Sequence, residues 1–274
     1  MPIEVDRNFD GLAKRFRRNV YGSLKGRVRL NVLERDFNEF IPHYKSNSHG
    51  KRVLDMAAGE ARFSASLAAH GCDLVVNDVS TEMLALAHAT IESCASEQGE
   101  NEEAYKGRVK VIQCPFQQLE ATLRAEGQNT TFDLILCHAL IEWMAQPETL
   151  IPSIPKMLKP GGYLSLTFYN INGLAFKNLL RTNFHKFDID NFTPFKGSLT
   201  PTRPQDPAEV KAQLEQHGFT IVCKSGIRVF HDYILDPQER NRDPVALIAK
   251  ELAYSRREPF WQMARYIHFL CRYE

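Results

Sequence analysis

From Arg52 onward, short continuous apolar runs alternate with longer stretches in which apolar side chains recur every three or four positions. The runs RVLDMA, DLVVNDVS, VKVIQC and FDLILCHAL are too short for helices, are rich in Val, Ile and Leu, and read as buried strands. LKPGGYLSLTFYN adds a turn and a fifth strand. Between them, ARFSASLAAHG, the stretch from Ser80 or Thr81 to about Cys94, and FQQLEATLRAEG have helical spacing. Gly71 is a stop signal for the first of these helices. Strands buried along their whole length and alternating with helices imply parallel βαβ units with helices on both faces of one sheet.

The ends of the chain follow other rhythms. Phe9, Leu12, Ala13, Phe16 and Val20, and then Leu30, Leu33, Phe37 and Ile41, predict two helices. The stretch YGSLKGRVR breaks them at Gly22 and Gly26. After Asn170, NINGLAFKNLLRTNF is helical and HKFDIDNFTPFKGSLTPTRPQDP reads as a long loop. Asp206 and Pro207 open another helix that ends at Gly218. FTIVCKSGIRVFHDY reads as a sixth strand, DPVALIAKELAYSRRE as a helix, and PFWQMARYIHFLCRYE carries a seventh strand. The expected architecture is α/β, with a seven-stranded, mostly parallel sheet. Residues 1–45 form an N-terminal helical extension. Residues 46–274 are expected to form the main α/β domain, with the helix and long loop of 170–218 inserted.

Composition changes this picture little. The 274 residues are 43% apolar, and Lys+Arg 34 nearly cancels Asp+Glu 33, so net charge singles out no partner. Locally, residues 1–30 hold eight basic side chains and three acidic ones (8 − 3 = +5), a candidate patch for a polyanion or simply a solvated helix face. The six cysteines form no C-x-x-C pair and read as reduced core residues of a cytoplasmic protein. No apolar run approaches the roughly 20 residues that cross a bilayer, and neither a membrane nor a metal is expected.

The stretch VLDMAAGEA, from Val53 to Ala61, raises the question of a cofactor. It has the look of a strand entering a nucleotide-binding turn, yet Gly59 is its one glycine. A dinucleotide site uses several glycines so that the backbone can press against pyrophosphate. S-adenosylmethionine has no phosphate and makes weaker demands on the loop. Asp78, roughly 20 residues after the turn at the end of the second strand, suits a ribose diol, fits NAD equally, and otherwise reads as a helix cap. His138 ends the fourth strand, where open α/β sheets bind ligands, and is either a ligand contact or a satisfied structural histidine.

The succession V-L-D-x-x-x-G-E-x-x-F-S, N-D-x-S-x-x-M-L-x-x-A, F-D-L-I-L-C-H-A-L-I-E-W and L-K-P-G-G-Y-L resembles the class I S-adenosylmethionine-dependent methyltransferases, with their Rossmann-like fold, over about residues 50–170. That resemblance implies Asp55 near the cofactor's amine, Gly59 in the loop, Asp78 on the ribose, and Phe116 and Gln117 beside the adenine. Phe116 also reads as a core residue at a helix start. Outside that core, DRNFDGLAKRFRRNVYGSLKGRVR, LSLTFYN followed by NG, GIRVFHDY and EPFWQMARYIH are similar to the bacterial carboxyl methyltransferases of tRNA wobble uridine. These convert 5-carboxymethoxyuridine to its methyl ester. By position the resemblance adds Arg29, Ala57, Ala58 and His138 to the cofactor site, and implies tRNA as partner and a monomer or homodimer. Two departures stand out. AAGE is poorer in glycine than the family's loop, which implies altered packing, and the loop before QDP offers only Lys196 and Arg203 where the family has a lysine-rich run.

Ester formation needs no general base, because a carboxyl of ordinary pKa, about 4, is already ionised at neutral pH. The protein supplies orientation, which is worth up to roughly 7–11 kcal/mol. Tyr169 and Asn170, just past the fifth strand, and Arg203 in the long loop are the candidates to hold the acceptor, although Tyr169 also reads as core. The basic N-terminal helix and Arg181, Arg203, Arg240 and Arg242 are the cations available to tRNA. His231 and Asp232, if adjacent on a strand, face opposite sides and read as structural. The rival readings are a small-molecule methyltransferase acting on a quinone or carboxylic acid, a non-catalytic binding module, and a dehydrogenase.

Overall fold

The structure, a computed structural model, describes residues 6–41, 44, 49–97, 105, 107–188 and 199–274. Seven strands form one sheet: β1 Arg52–Met56, β2 Asp73–Asp78, β3 Val109–Gln113, β4 Phe132–His138, β5 Leu158–Tyr169, β6 Phe219–Ile227 and β7 Tyr266–Tyr273. Their order is β3-β2-β1-β4-β5-β7-β6. The first five are mutually parallel, and β7 runs antiparallel to both β5 and β6. The strand order reverses between β1 and β4, so a crevice opens where their carboxyl ends part.

The period of two along each strand divides the core between the faces. Leu54, Met56, Ile135, Cys137, Leu164 and Leu166 pack on one side. Val53, Leu134 and Leu136 pack on the other, with Leu33, Phe37 and Phe63. Fully burying one such side chain contributes about 1.5–3 kcal/mol, so the sheet is a rigid base for whatever its carboxyl ends carry. The N-terminal helix Leu24–Phe40 lies against β6 and the helix Pro244–Tyr254. Pro152 and Pro155 shorten the helix before β5 to the single turn Leu150–Ser153, followed by a 3-10 turn at Ile154–Lys156. No described helix is long and apolar enough to cross a membrane.

The expected sixth strand is cut short. It ends at Ile227, Arg228 takes a left-handed φ of 62°, and His231–Tyr233 is a 3-10 turn. The cause is Glu251, whose buried carboxylate accepts the backbone N–H groups of Val229, Phe230 and His231 at 2.7, 3.1 and 2.8 Å. Those donors are then lost to any sheet ladder. His231 and Asp232 therefore do not face opposite ways: Nδ1 of His231 lies 2.8 Å from Oδ1 of Asp232. Much of the long loop, with Lys196, lies outside the described residues.

Candidate functional site

Beyond Met56 the chain turns through left-handed conformations at Ala57, Gly59 and Ala61, with φ of 53°, 58° and 52°. An alanine pays roughly 1–2 kcal/mol for that backbone, which glycine avoids. The turn is held by the end of β2. Ala58 N donates to Asn77 O at 2.9 Å, and Gly59 N donates to Oδ2 of Asp78 at 2.9 Å. Oδ1 of Asp78 accepts from Ser80 N at 2.9 Å. Burial pushes the Asp78 carboxyl up, against the pull of these backbone donors. A loop poor in glycine thus keeps its shape because a buried carboxylate grips its backbone.

The turn lines a cavity of about 340 Å³, within the roughly 300–1,000 Å³ of small-molecule sites. Asp55 sits at its base, 4% exposed, with Ser64 Oγ donating to it at 2.5 Å. Burial pushes its carboxyl up to about 7, and the nearby Asp78 charge adds to the shift. From the N-terminal helix, Nη2 of Arg29 donates to Thr167 Oγ1 at 2.8 Å, and its buried Nε has no hydrogen-bond partner. His138 lines the cavity edge-on to Phe63, with ring centroids 5.8 Å apart. Burial, helped by the charge of Arg29, holds it neutral.

A second set of lining residues is cationic. Lys25, Lys177, Arg228 and Arg265 line the cavity grouped around the carboxylate of Asp232, which leaves that group with an excess of three positive charges (4 − 1). Arg228 Nη1 and Arg265 Nε lie 3.5 and 3.6 Å from Asp232. Burial opposes ionisation of Asp232, but Arg228, the hydrogen bond from His231 and Arg265 hold its carboxyl far below the usual range. Burial, then repulsion by Arg265, pushes Lys177 down to about 8. Arg265 is buried with its guanidinium 4.4 Å from the Tyr169 ring centroid, and its Nη1 has no partner; nor does the Tyr169 hydroxyl.

A strap from the N-terminus closes one side. Asp6 accepts from Ala145 N and from Gln117 Nε2, both at 2.8 Å, and Asp10 accepts from Ser80 Oγ at 2.6 Å. Phe9 is thereby packed edge-on against Trp143, with ring centroids 5.1 Å apart.

Eight of the residues singled out for the cofactor line this one cavity: Arg29, Asp55, Ala57, Ala58, Gly59, Asp78, Phe116 and His138. Gln117 does not; its amide holds Asp6 of the strap. Tyr169, Asn170 and Arg203 are not on the cavity wall. Asn170 is engaged throughout. Its amide donates to the carbonyls of Gln262 and Ala264 at 2.7 and 2.8 Å, and its Oδ1 caps the next helix by accepting from Asn172 N at 3.1 Å. The Arg240 guanidinium closes onto the Ile234 carbonyl, and Arg242 pairs with Glu239 at 2.7 Å. The cationic wall was missed; its one sequence signal is the placement of Arg228 and Arg265 among apolar neighbours in GIRVF and MARYI.

The donor set fits S-adenosylmethionine. Buried carboxylates at Asp55 and Asp78 suit an ammonium and a ribose diol, and the unpartnered Nε of Arg29 suits a carboxylate. Residues 54–166 match the family described as "Methyltransferase domain". The tRNA 5-carboxymethoxyuridine methyltransferase of Escherichia coli (strain K12) is 34% identical over 267 residues, covering 97% of this chain and 96% of that protein. A ubiquinone biosynthesis O-methyltransferase of Aliivibrio fischeri (strain MJ11) is 28% identical over 230 residues, covering 84% and 86%. Among solved structures, magnesium protoporphyrin IX methyltransferase from Synechocystis PCC 6803, with bound SAH, superposes with a TM-score of 0.59 at 14% identity, covering 97% of this chain and 96% of that one. A Mesorhizobium loti S-adenosylmethionine-dependent methyltransferase gives 0.56 at 16%, covering 91% and 100%. With the fold, the family match and a near full-length relative in agreement, the chain belongs to the tRNA 5-carboxymethoxyuridine methyltransferase family of S-adenosylmethionine-dependent, Rossmann-like methyltransferases.

Proposed function

We propose that this enzyme methylates the carboxylate of 5-carboxymethoxyuridine at the wobble position of tRNA, in the cytoplasm, forming the methyl ester. The observation that carries the acceptor's chemistry is the cationic wall. Four basic side chains around one carboxylate leave room and charge for an anion beside the cofactor residues. The name of the E. coli relative supports the same acceptor.

The cofactor supplies an electrophilic methyl on a sulfonium. Everything else is positioning by this chain. Asp78 takes the ribose hydroxyls, Asp55 and Arg29 take the amino-acid tail, and Phe116 packs on the adenine. Ala57, Ala58 and Gly59 pass their backbone close by, and His138 contacts the cofactor. Gln117 contributes through the strap that it holds. Arg265 holds one oxygen of the acceptor carboxylate with its free Nη1, with Lys177 and Arg228 completing the field. Tyr169, fully buried and off the cavity wall, packs its ring against the Arg265 guanidinium and so orients that fork. Asn170 keeps the end of β5 in place, and Arg203 is left for the tRNA backbone. The carboxylate arrives ionised, so no side chain has to remove a proton.

The test is incubation of the purified protein with labelled S-adenosylmethionine and total tRNA from a strain lacking the gene, followed by mass spectrometry of the nucleosides. Methyl gained on 5-carboxymethoxyuridine alone is the expected result. Cofactor binding without methylation of any tRNA nucleoside would point instead to a small-molecule acceptor.

A further inference from the structure

A line of polar side chains runs through the middle of the sheet, where apolar residues would pack as well. His138 Nε2 lies 2.8 Å from Ser165 Oγ, Ser165 Oγ lies 3.0 Å from His268 Nε2, and His268 Nδ1 lies 2.8 Å from Asp36 Oδ2. Asp36, Ser165 and His268 are fully buried. The line starts on the helix Leu24–Phe40, crosses β7 and β5, and ends on the last residue of β4 at the cavity. Replacing such a group by well-packed apolar side chains is often neutral or stabilising, so stability alone does not account for it.

We infer that Asp36, His268 and Ser165 are positioning residues that fix the tautomer of His138 and so present its Nδ1 to the cofactor as a hydrogen-bond acceptor. Burial opposes ionisation of Asp36, but the hydrogen bond from His268 and the charge of Arg35 outweigh it, and the carboxyl stays far below its ordinary range. An ionised carboxylate only accepts, so His268 carries its proton on Nδ1. Arg35 Nη2 at 2.7 Å and Arg256 Nη2 at 2.6 Å already give Asp36 two cations. A third, on a fully buried ring that also neighbours His138 and the strand bonded to Arg29, would be uncompensated. His268 is then neutral, with a lone pair on Nε2. Ser165 donates to that lone pair, and its oxygen accepts from Nε2–H of His138. The remaining polar atom of the His138 ring, Nδ1, carries a lone pair. An acceptor there matches a donor such as the cofactor's ammonium, beside Asp55. The orienting partner of a functional histidine selects the same way in other sites.

The inference rests on His138 lying in the cofactor site, and its readout does not require turnover. Ring-nitrogen 15N NMR of the full chain, without cofactor and between about pH 6 and 9, reports each tautomer directly. Ser165→Ala and His268→Gln provide the assignments, and the amide spectrum checks that each folds. In the unsubstituted protein His138 is expected as the Nε2–H tautomer and His268 as neutral Nδ1–H. In Ser165→Ala, which removes a single oxygen, His138 is expected to lose its single tautomer. Affinity for S-adenosylhomocysteine, read by calorimetry, is expected to fall about tenfold, the scale of one hydrogen bond, and Ser165→Thr should restore both. An Nδ1–H tautomer at His138, an imidazolium at His268, or a folded Ser165→Ala with unchanged tautomer and affinity would each overturn it.

Discussion

Replacing Arg265 by methionine keeps the buried stem of the side chain and removes the fork. Asp232 is not orphaned, because Arg228 at 3.5 Å and His231 at 2.8 Å remain. What is lost is the unpartnered Nη1 and one of four basic groups on that wall. A hydrogen bond to a charged partner is worth about 1.5–3 kcal/mol, so kcat/KM for tRNA bearing 5-carboxymethoxyuridine should fall about 10- to 150-fold. The split is informative. The acceptor's negative charge disappears as the ester forms, so Arg265 binds the ground state at least as tightly as the transition state. KM should therefore rise more than kcat falls. Arg265→Lys keeps the charge without the fork and should recover part of the loss. S-adenosylhomocysteine affinity should stay within about twofold of the parent, because Arg265 is not among the residues assigned to the cofactor. A folded Arg265→Met with kcat/KM within about threefold of the parent would refute the assignment.

Asp55 makes cofactor binding depend on pH. Its folded carboxyl, raised to about 7 from 3.8, binds a proton that the unfolded chain has lost, so its contribution to stability falls as pH rises from about 4 to about 7 and is then constant. A cationic ammonium favours the ionised form, so affinity should rise with pH up to about 7 and level off, with proton release seen in calorimetry. Asp55→Asn should abolish that slope, and a flat profile in the parent protein would contradict the argument. Asp78→Asn removes the charge that holds Gly59 N and awaits the ribose; cofactor Kd should rise about 100-fold in a titration. Ala57→Gly relieves a left-handed alanine but adds unfolded-state entropy, so thermal unfolding should show a gain of about 0.5–1 kcal/mol, and a clear loss would mean the φ of 53° carries no strain.

The parallel strands were legible because each is a continuous apolar run, which burial on both faces requires. The cofactor half of the site was legible for a local reason: Asp55, Ala57, Ala58, Gly59 and Asp78 fall within one βαβ unit, so their spacing reports their geometry. The acceptor half was not. Lys25, Lys177, Arg228 and Arg265 span 240 positions (265 − 25) and meet only because the antiparallel β7 returns beside β5. The strand expected through Arg228 and His231 failed for the same kind of reason. Its backbone donors are satisfied by Glu251, which lies on a later helix and which no local pattern reveals. Asn170 is a case of shared vocabulary: an asparagine after a strand is equally a helix cap and a substrate clamp, and here it caps.

The central claim is that the methyl is placed on a carboxylate, and the chemistry of the product tests it most directly. Labelled tRNA from the methylation reaction should be treated with mild alkali and the released label counted. An ester gives up its methyl as methanol, so the account predicts that essentially all of the label leaves the tRNA and that 5-carboxymethoxyuridine is regenerated. Label that stays on the tRNA, as a methyl on a base or a ribose oxygen would, contradicts it.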